Sequence, residues 1–141
     1  MDPRVKTRIF QRVDQEPFAA KFKLKLVELD EGYSKIRMQF TPDMENIFGK
    51  AHGGAIFALM DEAFQTACNS YGTLAVALNV NITYVSSPAP GTELTAEARE
   101  FSRTTKTANY DIKVKDNQGN LIASCQALAY RLGKPLPFLA E

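Results

Sequence analysis

The residues best suited to chemistry stand around a glycine pair, Gly53 and Gly54, near the middle of the chain. The only histidine, His52, precedes the pair, and a long apolar segment follows it. The first turn of a helix carries unbonded N–H groups and the positive end of the helix dipole. Such a turn can hold an anion, or can stabilise a carbonyl oxygen that becomes negative during attack. The glycine pair is also consistent with a simple loop-to-helix junction.

A carboxylate, Asp61, lies seven residues beyond Gly54 in the apolar segment. Its helical neighbours include Phe57 and Phe64, so its expected surroundings are largely apolar. A carboxylate in such surroundings is either paired or held for chemistry. The adjacent Glu62 lies about 100° further around the helix, so the two carboxylates do not share one face.

The distance between Gly54 and Asp61 bears on assembly. Seven helical residues rise about 10 Å. A small carbonyl group cannot lie about 3 Å from both groups of one chain. If both act on one substrate, the carboxylate must come from a second copy of the chain.

The stretch "NIFGKAHGGAIFALMDEAF" resembles the signature of the hotdog-fold acyl-CoA thioesterases of the phenylacetic-acid-degradation (PaaI-type) family. The resemblance continues through "NVNITYVSSPAPGTELTAEA" and covers roughly residues 30–132. It implies a six-stranded sheet around a central helix, assembled into homodimers and commonly into homotetramers. It also implies an acyl-CoA substrate. A thioester carbonyl is already electrophilic, so neither a metal nor a cofactor is expected.

The resemblance assigns roles to individual residues of the site. Gly53 and Gly54 correspond to the backbone-amide pocket for the thioester carbonyl. Asp61, reaching across the dimer, corresponds to the base or nucleophile. Asn46 and His52 match polar residues that orient the attacking water, the carbonyl or the loop.

Coenzyme A also needs cations for its phosphates, and a hydroxyl-rich turn, "FSRTTKTANY", offers Arg103 and Lys106. Solvated turn charges are the alternative interpretation of these two residues.

Two other functions remain open. An acyl-thioester hydratase on the same fold would use a carboxylate and a histidine placed together, whereas the sole histidine here precedes the helix. A non-catalytic acyl-CoA-binding protein would keep the pocket, but no segment outside residues 20–133 is long enough to form an output module.

Hydrophobic periodicity predicts the elements that position these groups. A short amphipathic helix is expected over residues 4–16, ended by Pro17, and a nearly all-apolar helix from Gly54 to about Tyr71. Alternating patterns predict strands at residues 22–29, 33–40, 74–87, 92–102, 105–116 and 121–132. The tail from residue 133 is expected to be loosely held.

These elements predict an α+β fold in one domain, residues 1–141. Short connections favour an antiparallel sheet, and an all-apolar helix must be surrounded, so the sheet should curl around it. An open sheet edge then favours an oligomer.

The composition narrows the class of partner. Seventeen basic and 16 acidic side chains give a formal net charge of +1, which argues against a nucleic-acid binder. No continuous apolar stretch is long enough for a membrane span, so no membrane partner is expected. Two cysteines in apolar segments predict buried free thiols, and the expected location is cytoplasmic.

Overall fold

The computed structural model describes residues 1–141 and begins with two short helices. Helix α1 spans Pro3–Gln15, and Asp2 caps it by accepting a hydrogen bond from the Arg4 backbone N–H at 2.8 Å. The predicted first helix is therefore confirmed. Pro17 does not merely end it, because it opens a second helix, α2, over Pro17–Phe22. Proline fits the first turn of a helix, where its missing N–H costs no hydrogen bond.

Six strands form one sheet. They are Lys25–Asp30 (β1), Tyr33–Gln39 (β2), Thr73–Tyr84 (β3), Glu93–Arg103 (β4), Thr107–Lys115 (β5) and Leu121–Pro135 (β6). Their order across the sheet is β1-β2-β4-β5-β6-β3, and every neighbouring pair is antiparallel. The predicted antiparallel sheet is confirmed.

The long apolar segment forms helix α3, Gly53–Cys68, in the centre of the molecule. This helix contacts all six strands, which requires the sheet to curl around it. Leu59, Ala63 and Ala67 on α3 have no exposed surface. The predicted hotdog arrangement of one buried helix inside a curled sheet is confirmed.

The end of the chain is firmly packed, contrary to the expectation of a loosely held tail. Strand β6 continues to Pro135, and a short 3-10 helix follows at Pro137–Leu139. Leu136 is buried, and its N–H donates to the carbonyl oxygen of Gly72 at 3.0 Å. The guanidinium of Arg4 donates to the Leu139 carbonyl, so this segment is bound to α1.

Strand β3 lies at the edge of the sheet and has a neighbour on one side only. It is 12 residues long, and most of its side chains are exposed, including those of Val76 and Leu78. No helix of the chain is long and apolar enough to cross a membrane.

Candidate active site

The first turn of α3 is capped by His52. The imidazole Nδ1 accepts a hydrogen bond from the Gly54 N–H at 2.8 Å. The His52 carbonyl accepts bonds from the N–H groups of Ala55 and Ile56 at 3.0 and 3.3 Å. The Gly53 N–H is therefore the one first-turn donor left without an acceptor in the chain. Because Nδ1 accepts, the proton of the neutral ring lies on Nε2, which remains a free donor.

Asn46 shapes the loop that leads into this turn. Its side-chain Oδ1 accepts hydrogen bonds from the N–H groups of Phe48 and Lys50 at 2.9 and 3.1 Å. Gly49 takes the left-handed conformation that this tight loop needs, with φ at +70°. Asn46 and Gly53 then line one small cleft of about 370 Å³.

Tyr84, at the end of β3, also lines this cleft, and nothing in its spacing from the glycines indicates it. Its hydroxyl donates to the Gly53 carbonyl at 3.0 Å, and its ring lies against the glycine. A Cβ atom at position 53 would lie 3.2 Å from that ring. Lys50 lines the same cleft and is the cation closest in sequence to the helix start.

Asp61 lies in a different cleft. The larger cleft, of about 620 Å³, lies between α1, α2, α3, the start of β3 and the C-terminal segment. The Asp61 carboxylate makes no hydrogen bond and no ion pair within the chain. Contrary to the apolar surroundings expected for it, Asp61 is exposed in the single chain. Its partial enclosure by the cleft raises its pKa, and the negative charge of Glu16 raises it further. Within one chain, the structure therefore does not bring Asp61 to the Gly53 amide.

Beside Asp61, Glu62 lies close to Glu16, a pairing that sequence reasoning did not indicate. Glu62 is buried, and burial together with the nearby Glu16 raises its pKa to about 9. The side-chain amide of Gln65 donates to Glu16 at 3.0 Å and to Glu62 at 3.3 Å. Both effects favour the protonated form of the Glu62 carboxyl group. The two acids are 46 positions apart, so no local pattern links them.

The predicted phosphate contacts lie apart from both clefts. Arg103 pairs with Glu100 at 3.6 Å, and its guanidinium lies 4.0 Å from the centroid of the Tyr71 ring, beyond the C-terminal end of α3. Lys106 lies in the turn between β4 and β5 and has no ion pair. Their role in binding coenzyme A stays a prediction.

No group of three or more His, Cys, Asp and Glu side chains is arranged to hold a metal ion. The groups that remain unpaired at the helix are an amide donor at its start and a carboxylate further along it. A curled antiparallel sheet around one central helix is the hotdog fold, a fold that hosts more than one function.

Comparison with known proteins gives the family directly. The family model of the Thioesterase superfamily matches residues 48–123, and the chain belongs to this family. A protein of Archaeoglobus fulgidus, described only provisionally as an esterase, is 40% identical over 113 residues, 80% of this chain and 73% of that protein. The acyl-coenzyme A thioesterase PaaI of Escherichia coli is 34% identical over 108 residues, 77% of each chain.

Solved structures agree with the fold. The E. coli PaaI protein, from the phenylacetic acid degradation operon, superposes with a TM-score of 0.89 at 29% identity, covering 94% of this chain and 96% of that one. A Streptococcus mutans protein bound to acetyl CoA superposes with a TM-score of 0.76 at 26% identity, covering 80% of this chain and 91% of that one. The chain is thus a thioester hydrolase with relatives that act on or bind coenzyme A thioesters.

Proposed function

We propose that this protein hydrolyses acyl-CoA thioesters at a site shared between two copies of the chain. The observation that carries the proposal is the separation of two unpaired groups in one chain. Gly53, whose N–H has no acceptor in the chain, lines one cleft, and Asp61 lines another. A second copy can supply to each cleft the group that it lacks.

Strand β3 supports such an assembly. Its first residues, Leu74 to Ala77, line the Asp61 cleft, and its last residue, Tyr84, lines the Gly53 cleft. Two copies of this edge strand paired antiparallel about a twofold axis would place the start of one beside the end of the other. That pairing brings the Asp61 cleft of one copy to the Gly53 cleft of its partner. It also covers the exposed Val76 and Leu78 of the edge strand.

The chemistry follows from these groups. Ionised Asp61 takes a proton from water, and the resulting hydroxide adds to the thioester carbon. The carbonyl oxygen becomes an oxyanion, which accepts a hydrogen bond from the Gly53 N–H of the other copy. The C–S bond then breaks, and coenzyme A leaves as a thiolate that takes the proton held by Asp61. The alternative route is direct attack by Asp61, with a mixed anhydride that water hydrolyses.

The other predicted residues have positioning roles in this scheme. Asn46 holds the loop, and His52 holds the helix start, with its Nε2–H free to donate to water or carbonyl. The Gly54 N–H would join the carbonyl pocket only if the His52 ring left its cap. Because His52 is used in this way, a hydratase, which needs carboxylate and imidazole as a proton-moving pair, is disfavoured.

Two inactive variants test both the chemistry and the shared site. Asp61→Asn removes the base, and Gly53→Pro removes the N–H. The backbone accepts the proline because it opens the helix and because His52 already has an extended backbone, with φ at −68° and ψ at 131°. Its Cβ, like that of alanine, would lie 3.2 Å from the Tyr84 ring, which must shift slightly in both variants. Each variant alone should lose about 10²- to 10³-fold in kcat. Gly53→Ala and Asp14→Asn are the matched controls, because the first keeps the N–H and the second removes an exposed acid.

Co-expression of the two variants distinguishes shared from separate sites. A mixed dimer has one site with both defects and one intact site. Activity should therefore return to about a quarter of the wild-type value if subunits pair at random. If the mixture stays as inactive as its parents, the shared site is wrong. If Asp61→Asn alone keeps full activity, the catalytic role of Asp61 is wrong.

A further inference from the structure

Glu62 is the one Asp, Glu, Lys or Arg side chain that the chain buries, with 3% of its surface exposed. It lies on α3, whose other buried residues are apolar apart from Thr66. Burying a carboxyl group costs free energy unless the group is hydrogen-bonded, and an apolar side chain would avoid that cost. The proposed hydrolysis gives Glu62 no task, so another role must account for it.

The partners of Glu62 are Gln65, one turn along the helix, and Glu16, at the junction between α1 and α2. The side-chain amide of Gln65 donates to the Glu16 carboxylate at 3.0 Å and to the Glu62 carboxyl at 3.3 Å. Glu62 is also within hydrogen-bonding reach of Glu16. Because burial and Glu16 both favour the protonated form of Glu62, its O–H can donate to the Glu16 carboxylate. Two side chains of α3 therefore hold the Glu16 carboxylate through hydrogen bonds.

The backbone of Glu16 is fixed as well, because it joins two helices. Its N–H donates to the Val13 carbonyl at 3.1 Å, and its carbonyl accepts from the Ala20 N–H at 3.0 Å. It has φ at −71° and ψ at 119°, the extended conformation that is favoured before a proline such as Pro17. The side chain therefore reaches α3 from a defined point, and little freedom is lost when α3 binds it.

Glu16 reaches the site of the proposed reaction, whereas Glu62 does not. Glu16, Gln65 and Asp61 all line the larger cleft, and Glu62 is not part of its lining. The negative charge of Glu16 adds to the partial enclosure that raises the pKa of Asp61. Any influence of Glu62 on Asp61 therefore passes through Glu16.

No cation holds these acids together. None of the ion pairs of the chain includes Glu16, Asp61 or Glu62. Arg12, the cation in the cleft lining, lies 3.7 Å from the Glu141 carboxylate instead. The strands contribute no buried charged side chain. The other titratable groups of the surrounding elements are exposed or are thiols kept neutral by the pKa that burial raises: Asp14, Lys21, Lys23, Cys68 and Cys125.

We propose that Glu62 is a positioning residue for the hydrolysis, which together with Gln65 holds the Glu16 carboxylate in the cleft beside Asp61. The inference rests on the proposed thioesterase function and adds to it a residue that lies outside the cleft. A negative charge kept near Asp61 disfavours its ionised form, so Asp61 binds the proton taken from water more strongly. If the Glu16 carboxylate moved away into solvent, screening would weaken this effect.

Three variants of the full chain test the arrangement. Glu62→Leu removes one donor and leaves an apolar side chain of similar size, which a buried position accepts. Gln65→Ala removes the other donor at an exposed position, so this variant should fold whether or not the first one does. Glu62→Gln is the conservative replacement, because it keeps an N–H that donates to Glu16 and an oxygen that accepts from Gln65. Asp14→Asn, which changes an exposed acid of α1, is the control.

The measurement is the pH dependence of kcat/KM, above all its acid limb, the fall of kcat/KM at low pH. Glu62→Leu and Gln65→Ala should each move the acid limb to lower pH. Below the limb of the wild type, kcat/KM as a fraction of its plateau should rise by about two- to threefold. Glu62→Gln and Asp14→Asn should keep the wild-type profile. Carbon-13 NMR of the carboxyl groups follows the titration of Asp61 without substrate and should show the same shift.

A double variant tests whether Glu62 acts through Glu16. Glu16→Gln removes the charge, so adding Glu62→Leu should not move the acid limb further. Additive shifts in the double variant overturn the inference. An acid limb that stays at the wild-type position in Glu62→Leu, or that moves equally in Glu62→Gln, overturns it as well.

These outcomes differ from a failure of the proposed function. If the wild-type protein hydrolyses no acyl-CoA, or if Asp61→Asn stays fully active, the thioesterase role of Asp61 is wrong. The NMR titration of Asp61 requires no turnover, so it still shows whether Glu62 and Gln65 hold the charge of Glu16 beside that carboxylate.

Discussion

The Nδ1 atom of His52 accepts a hydrogen bond from the Gly54 N–H at 2.8 Å, and a Cβ atom at position 54 would lie 2.9 Å from the same nitrogen. Glycine at this position therefore makes room for the imidazole. The only histidine of the chain acts as the cap of its central helix. The combination of histidine and glycine is thus explained locally, before any substrate is considered.

The cap predicts a difference between two substitutions of His52. His52→Ala leaves the Gly54 N–H without its acceptor and should lower the free energy of unfolding by about 1 kcal/mol. His52→Asn restores a side-chain acceptor and should stay within a few tenths of a kcal/mol of the wild type. Thermal unfolding measures both.

Kinetics of the same variants test the positioning role. If His52 acts through the cap, His52→Asn should keep most of the wild-type kcat while His52→Ala loses it. Equal losses of kcat in both variants, with His52→Asn fully stable, would show that the imidazole itself takes part in the reaction.

Tyr84 should influence catalysis through the helix start. Its hydroxyl donates to the Gly53 carbonyl at 3.0 Å, so Tyr84→Phe removes one hydrogen bond and keeps the ring against the glycine. A hydrogen bond contributes about 0.5–1.5 kcal/mol, and losing that amount from the stabilisation of the transition state lowers kcat by about two- to tenfold. Tyr33→Phe is a control, since Tyr33 bonds to Glu97 on the far strands. An unchanged kcat in Tyr84→Phe would contradict a role for this bond.

Much of the fold could be predicted from the sequence because its signals are local. Alternating apolar and polar residues indicated the strands. A helix with very few polar positions indicated that other elements enclose it. The separation of the glycine pair and Asp61 followed from helix geometry alone, and the chain does place Gly53 and Asp61 in different clefts. These features depend on spacing within about ten residues.

The features that were missed depend on contacts between distant segments. Tyr84 meets Gly53 across 31 positions, and Arg4 meets Leu139 across 135. A tail with glycine and prolines resembles a loose terminus, yet Leu136 is buried because α1 packs beside it. Such packing has no periodic signature, so the sequence could not indicate that the two ends of the chain line the Asp61 cleft.

Glu62 should make stability depend on pH. Its folded-state pKa of about 9 lies above the ordinary value of 4.5, with Glu16, Asp61 and Gln65 around it. The folded chain therefore retains a proton that the unfolded chain releases above pH 4.5. The stability that Glu62 contributes should therefore be fully present below that pH, and should be lost as pH rises toward about 9.

Glu62→Gln tests this dependence. The variant cannot ionise, so its stability should fall less between pH 5 and 9 than that of the wild type, and it should be the more stable protein at pH 9. Chemical denaturation at several pH values measures the effect. Glu45→Gln, at an exposed position, serves as the control. If the free energy of unfolding of Glu62→Gln fell with pH as steeply as that of the wild type, the raised pKa of the buried Glu62 carboxyl would be wrong.

The charge of Glu16 should influence the pH dependence of catalysis through the pKa of Asp61. The pKa of Asp61 is raised first by burial and then by the charge of Glu16. In the proposed reaction Asp61 acts as an ionised base, so kcat/KM should fall as pH drops through that raised pKa. Glu16→Gln removes the charge and should move this acid limb to lower pH. An acid limb that does not move in this variant, measured against the Asp14→Asn control, would show that the two carboxylates do not interact in the assembled enzyme.

The two predicted phosphate contacts should contribute unequally to the binding of coenzyme A, because only one of the two cations has no ion pair within the chain. Arg103 is paired with Glu100 and lies over the Tyr71 ring, whereas Lys106 has no ion pair. A cation whose charge is already balanced attracts a phosphate less. We therefore expect Lys106→Gln to raise KM for acyl-CoA more than Arg103→Gln does, with kcat little changed in either.

The increase in KM should shrink as the salt concentration rises to about 0.5 M, because added ions screen exposed charges. A KM that is unaffected by both variants at low salt would remove this turn from the coenzyme A site and leave Lys50, which lines the Gly53 cleft, as the cation to examine.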